Sequence, residues 1–362
     1  MFTSSRLTLA RRRRMMTQAG LAEAIGVSVR MVVAYESGEK PPGDETLADM
    51  ARVLGFPEEF FEGDDLEDIP VEYVSFRALS SMLARQREAA RAAGTLALEL
   101  NSWIDKRFSL LKADVPDLRH FEPEAAAVAL RAAWGLGERP IKNMVHLLEA
   151  HGIRVFSLAE NNREVDAFSF WKGGTPFVFL NTMKNPERGR FDAGHELGHL
   201  VLHRHGEPGG REAEQQANAF ASSFLMPRAS VVAHAPRSPR LDVILGLRSI
   251  WGVSASALVR RMHDVNMISD WNYRSLSIEI GQRGLRDSED TGRERETSQV
   301  LEKVFAQLRA EGVSKADVAR ELRLHKAELE ALIFGLVPMS AVSGGRSGEA
   351  SPLRRGGLKL VR

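Results

Sequence analysis

The stretch Arg190-Phe191-Asp192-Ala193-Gly194-His195-Glu196-Leu197-Gly198-His199-Leu200-Val201-Leu202-His203 contains the pattern H-E-x-x-H. On a helix, residues four apart share a face and lie one turn, roughly 6 Å of rise, from each other. His195 and His199 therefore offer two imidazole nitrogens to one tetrahedral ion of the kind zinc prefers. Glu196 projects beside that pair, where a carboxylate can hold and deprotonate an attacking water. Ala193, Leu197, Leu200 and Leu202 are helix formers and no proline interrupts them, so the spacing predicts one helical face.

Two protein donors leave a zinc site short of a ligand, and the next segment offers one. From Ala217, apolar residues recur at helical spacing (Ala217, Phe220, Ala221, Phe224, Leu225), which marks a buried face. Glu214 precedes Ala217 by three residues and Asn218 by four, so it falls on that face. A buried carboxylate is costly unless paired or bound to a metal, which makes Glu214 the expected third ligand. The competing reading is that Glu214 is the last exposed polar residue before the core begins, and Glu212 is the alternate ligand. His205 suggests the longer H-E-x-x-H-x-x-G-x-x-H pattern, but Leu202 stands where that pattern requires glycine. His203 lies about 12 Å along the axis from His195 and cannot join the same ion on a straight helix, so it is read as supporting or structural.

Arg190-x-x-x-x-His195-Glu196-Leu197-Gly198-His199, Leu202-His203 and Glu214-x-x-Ala217-Asn218-x-Phe220-Ala221-x-x-Phe224-Leu225-Met226-Pro227 together resemble the ImmA/IrrE family of zinc metallopeptidases. Trp134-Gly135-Leu136-Gly137-x-x-Pro140-Ile141 and Val178-x-Leu180-Asn181 extend the resemblance over about residues 130 to 230. It implies that His195, His199 and Glu214 bind zinc, that Glu196 is the catalytic base, and that the substrate is a DNA-binding repressor cut under stress. Manganese is a possible alternative, since a His2Glu set accepts both metals.

A second resemblance lies near the N-terminus. Residues 5 to 62 read as five short helices, with Thr17, Ser28 and Asp44 as N-caps and Gly26, Gly38 and Gly55 as stops. A helix, a tight turn at Gly26-Val27 and a capped helix make a helix-turn-helix. Thr17-Gln18-x-x-Leu21-Ala22-x-x-Ile25-Gly26-Val27-Ser28 through Tyr35-Glu36-Ser37-Gly38 resembles the XRE (lambda-repressor-like) DNA-binding family. Val29, Arg30, Val33 and Ala34 would then face the major groove of double-stranded DNA, with Gln18 and Ser28 at helix N-termini that favour phosphate. Residues 1 to 40 carry seven basic side chains against three acidic. Arg11 to Arg14 are expected as phosphate contacts or as a solvated helix face.

Other properties bound the reading. The 362 residues suffice for two or three domains, and 49 basic residues balance 48 acidic ones, so no global field argues for nucleic acid. The absence of cysteine excludes a thiolate zinc site and fits a reducing cytoplasm. No run of 18 apolar residues predicts a membrane span.

The expected architecture is α+β and mostly α. It comprises a DNA-binding domain (1–62), a helical linker (63–119) carrying the head away from the body, a zincin-like domain with a small sheet (120–265), a helical interaction or dimerisation bundle (266–338) and a flexible tail (339–362). Within the zincin-like part, Ile153 to Leu158, Asp166 to Trp171 and Phe177 to Asn181 read as strands, and an edge strand can pair with an extended substrate. Asn181 reads as a turn cap and Arg190 as a structural pair. The function expected is a homodimeric regulator that binds an operator and cleaves a repressor-like protein or itself, with the linker around Glu62 to Pro70 as the self-cleavage site. The alternative is a regulator or antitoxin-like autorepressor whose zincin-like domain senses a ligand or binds a partner without turnover.

Overall fold

Side-chain caps start the N-terminal helices. In the computed structural model, which describes residues 1–69, 75–76, 83–158, 167–204, 210–285, 293–338 and 359–360, α1 (Ser4–Arg13) leads to α2 (Gln18–Ala24), α3 (Val29–Glu36) and α4 (Asp44–Leu54). Thr17 Oγ1 accepts from the Gly20 amide at 3.0 Å, and Ser28 Oγ from the Met31 amide at 3.3 Å. The fourth helix differs slightly from expectation: Gly43 is its N-cap, and Asp44 stands in the first turn, where its charge complements the helix dipole. A 3-10 turn, Glu58–Glu62, completes the head.

Of the linker, β1 (Ser75–Phe76), α5 (Ala84–Asp105) and β2 (Phe108–Ser109) are described. The expectation that this segment carries the head away from the body does not match the packing. Helix α5 contacts α1, and a Cβ on its Gly94 would lie 2.8 Å from Ile69 Cδ1 and 3.3 Å from Phe168 Cζ. It is wedged between the head and the sheet. The reason is composition: one side of α5 is alanine and leucine, narrow enough for close approach.

The body continues with α6 (Pro123–Ala133), α7 (Met144–Ala150), β3 (Arg154–Ser157), β4 (Ala167–Lys172), β5 (Thr175–Leu180), α8 (Pro186–Leu202) and α9 (Arg211–Leu225). After these come α10 (Arg228–His234), α11 (Leu241–Leu247), α12 (Ala255–Asp264) and α13 (Asp270–Gln282). Four strands form one sheet in the order β1-β4-β5-β3, with β3 parallel to β5 and the other pairs antiparallel. Strand alternation separates two faces. Phe156, Phe168, Phe170, Phe177 and Phe179 stack on one. On the other, Trp171 Nε1 donates to the Leu200 carbonyl of α8 at 3.1 Å.

The C-terminal helices α14 (Gln299–Ala310), α15 (Lys315–Glu321) and α16 (Lys326–Ile333) dock on both halves. Glu328 accepts from Arg13 at 2.6 Å and Arg14 at 2.9 Å, and Glu321 accepts from Trp103 at 2.8 Å. Glu149 of α7 accepts from the Gln299 and Val300 amides that open α14. Buried apolar residues from Leu7 to Val337 accordingly form one cluster. The fold is α+β and mostly helical. The end of the expected flexible tail departs from prediction: β6 (Lys359–Leu360) pairs antiparallel with β2. The remainder of the tail, including Gly344 to Gly357, lies outside the described residues, as do His205, Pro70 and Asp166. Among the described residues, no single helix is long and apolar enough to cross a membrane.

Candidate metal centre and DNA-reading face

Glycine on one helix and alanine on the next set the geometry of the centre. A Cβ on Gly198 would stand 3.1 Å from Phe220 Cδ1 and 3.2 Å from Ala217 Cα, and one on Gly194 would touch Ala221 Cβ at 3.5 Å. The two small faces let α8 and α9 approach closely enough for Glu214, in the first turn of α9, to reach the histidines of α8. Both helices are also anchored. Arg190, buried in the first half of α8, donates to the Trp251 carbonyl at 3.0 Å and pairs with Glu296, while Arg131 donates to the Phe224 carbonyl near the C-terminus of α9. The structural reading of Arg190 therefore stands. So does that of Asn181, whose Oδ1 accepts from the Met183 amide at 3.0 Å in a turn.

His195 Nε2 and His199 Nε2 are 3.0 Å apart, and each lies 3.3 Å from a Glu214 carboxylate oxygen. A tetrahedral ion with ligands at roughly 2.0–2.1 Å separates them by about 3.3 Å, so the spacing fits. Hydrogen bonding points the same way. His195 Nδ1 lies 3.1 Å from Asn218 Oδ1, an acceptor, which puts the proton on Nδ1 and the lone pair on Nε2. His203 Nε2 lies 2.8 Å from Gln216 Oε1, whose amide is oriented by donation of its NH2 to Glu212 at 3.4 Å. His203 Nδ1 is then an acceptor for His199 Nδ1–H at 3.0 Å, and the lone pair of His199 Nε2 also faces Glu214. Burial lowers the His203 pKa, which keeps it in this neutral form near neutrality.

Two lone pairs and a carboxylate converging at these distances call for a shared cation. Burial opposes ionisation of the Glu214 carboxylate, and a cation shared with His195 and His199 is what offsets it in this tautomeric arrangement. Its side chain is the one opening in the cluster, 19% exposed against 0% for His195 and 2% for His199. The residues present thus fit a divalent ion. Glu212, the alternate ligand, is exposed and serves Gln216 instead.

Glu196 is fully buried, and its Oε2 accepts from Ser169 Oγ of β4 at 2.6 Å. Ser169 and Gln216 were not identified from the sequence. A polar residue inside the apolar run Ala167-Phe168-Ser169-Phe170-Trp171 is the signal that could have found the first; nothing local marks the second. A cleft of about 910 Å³ runs along the same two helices, lined by Phe191, one turn before His195, by Asn218, one turn after Glu214, and by Arg260 and Tyr273; His195, Glu196, His199 and Glu214 are not among its lining residues.

In the head, Ser28, Val29, Arg30 and Val33 are exposed on α3 and Ala34 is half-buried; Val29 and Val33 show 46% and 44% of their surface, an apolar stripe left open beside Arg30. Gln18 donates to Glu36 at 2.6 Å. The arginine run departs from the phosphate-contact expectation: Arg11 pairs with Glu36, Arg12 with Asp68 and Glu88, and Arg13 and Arg14 with Glu328. Carboxylates brought in from distant parts of the chain take up all four.

The fold joins a strand-bearing domain with an H-E-x-x-H helix to a helix-turn-helix head. In family comparisons, residues 148–263 match the IrrE N-terminal-like domain of peptidases, and residues 7–61 match a helix-turn-helix family. Comparison with curated proteins gave no match. The chain thus joins a stretch similar to XRE-type helix-turn-helix domains, over residues 7–61, to one similar to the IrrE N-terminal-like peptidase domain, over residues 148–263.

Proposed function

We propose that the chain is a DNA-binding transcription regulator whose peptidase domain is a zinc-dependent endopeptidase acting on a regulatory protein. The observation that supports this most is a three-donor cluster with a buried, oriented carboxylate beside it: Glu196, held by Ser169. Metal storage requires no such neighbour. In this reading His195, His199 and Glu214 hold zinc, with manganese as the alternative, and the ion supplies Lewis acidity toward the scissile carbonyl. Glu196 takes a proton from the attacking water and delivers it to the leaving amine. Ser169 fixes the rotation of that carboxylate.

The head reads double-stranded DNA through α3. Arg30 is suited to a guanine edge, Val29, Val33 and Ala34 to thymine methyl groups, and Ser28 and the α2 N-terminus at Gln18 to phosphate. We place the regulator in the cytoplasm as a homodimer, with functional units at 1–62, 120–265 and 266–338, and its substrate as an XRE-type repressor or the chain itself. A second reading, partner or ligand sensing without turnover, is favoured by the burial of Glu196 and His195. A cleavage time course on co-expressed repressors separates the two: wild type cuts and Glu196→Gln does not if the domain turns over. Intact substrates with zinc-loaded wild type would leave the sensing reading.

A further inference from the structure

The strands β3, β4 and β5 leave two edges, and they are not equivalent. Ser169 of β4 donates to the Glu196 carboxylate, whereas β3 is separated from β4 by β5. An extended polypeptide added along β4 therefore runs next to the proposed base, and one added to β3 does not. The β4 edge is already taken. Ser75 and Phe76 pair with it antiparallel, Ser75 opposite Ser169 and Phe76 opposite Phe168. Strand addition to a sheet edge holds a peptide by its main chain, with its peptide groups laid alongside the receiving strand. Paired strands lie about 4.8 Å apart, so the Ser75 backbone is one strand spacing from the residue that touches Glu196.

The position in the chain is equally pointed. Ser75 follows the helix-turn-helix match at 7–61 and precedes the peptidase match at 148–263. Residues nearer the head are less suited to cleavage. Leu66 and Ile69 are buried, Asp68 is paired with Arg12 and Arg91, and Arg91 also donates to the Ile69 carbonyl. The expected self-cleavage stretch at Glu62 to Pro70 exposes Glu62, Asp64, Asp65, Glu67 and Asp68 but is pinned to α1 and α5 through buried Leu66 and Ile69 and the Arg12 and Arg91 pairs.

We propose that the outer edge of β4 is the substrate-strand site and that the chain's own Ser75–Phe76 segment is its resident substrate, hydrolysed in cis. The inference rests on the endopeptidase reading above. Hydrolysis consumes one water: the C–N bond breaks, hydroxyl joins the carbonyl carbon, and a proton passes to the departing amine. The cut severs the DNA head from the peptidase covalently and leaves the Arg13 and Arg14 pairs with Glu328 among the contacts that still hold the pieces together.

The test follows the intact mass of the full chain, loaded with zinc alone, at several protein concentrations. Expected are two fragments whose masses sum to the chain plus one water, with the junction at or beside Ser75–Phe76. Their formation is first order, independent of concentration, and absent in Glu196→Gln. Of two successive residues in an antiparallel pair, one donates its amide across, so Ser75→Pro with Phe76→Pro removes that bond whichever residue makes it. The double variant is expected to bind zinc as wild type does, to self-cleave roughly tenfold more slowly or less, and to cut added unfolded casein at least as fast. Self-cleavage elsewhere, a rate rising with concentration, or a chain that cuts casein but not itself would overturn the cis assignment alone. Zinc-loaded wild type and double variant that cut neither would overturn the endopeptidase reading beneath it.

Discussion

His203 shows how far the centre extends beyond its three donors. It stands outside the three-donor cluster, yet its Nδ1 fixes the His199 proton and its own proton is fixed by Gln216. Replacing it by phenylalanine keeps a ring of similar size and removes both bonds. The expected result is a zinc affinity roughly 10–100-fold weaker, read by competition with a chromophoric chelator, with the fold unchanged by circular dichroism. An unaltered affinity would reduce His203 to a packing residue. The donors themselves were legible in sequence because one helical turn relates His195 to His199 and one amphipathic face carries Glu214. The bonds that Asn218, Gln216 and Ser169 make to the centre were not, because their partners are fixed only when α9 and β4 settle on α8.

At the level of elements, the α8–α9 contact is what assembles the centre. Gly198 stands against the backbone of Ala217, which cannot rotate aside as a side chain can, with its Cα and carbonyl oxygen 3.2 and 3.3 Å from where a Cβ would be. Gly198→Ala should therefore push α9 outward and carry Glu214 away from His195 and His199. Zinc affinity is expected to fall more than the roughly 1–3 kcal/mol that overpacking costs stability would suggest, because the ligand triangle is widened directly. A calorimetric titration showing wild-type affinity with the fold intact would refute this. Helix positions were readable from caps and periodicity: Thr17, Ser28 and the glycine stops sit where the chain turns. The two-residue strand β1 was not readable, since it lies in a helix-prone stretch and owes its pairing to β4, which comes far later in the chain.

For the whole molecule, the head and the body are joined by charge as well as by chain. Glu328 is 6% exposed and receives Arg13 and Arg14, more than 300 residues away. Burial opposes its ionisation, but the two guanidiniums outweigh that and keep its pKa below the usual carboxylate range. No local pattern could predict this, and Arg11 to Arg14 accordingly read as phosphate contacts or a solvated helix face. Glu328→Ala removes the carboxylate that Arg14 and Arg13, itself 9% exposed, both pair with. Removing one member of a buried pair costs about 3–5 kcal/mol, reduced here because Arg14 is partly solvated. The expected outcome is faster hydrogen exchange in α1 and α16 together; protection unchanged in both would show that apolar contacts alone dock the head. The central claim is that His195, His199 and Glu214 form a zinc centre served by Glu196. Its most direct test is elemental analysis of purified wild type, Glu196→Gln and Glu214→Ala. The account predicts about one zinc per chain in the first two and loss in the third; no metal in wild type, or equal metal in Glu214→Ala, would contradict it.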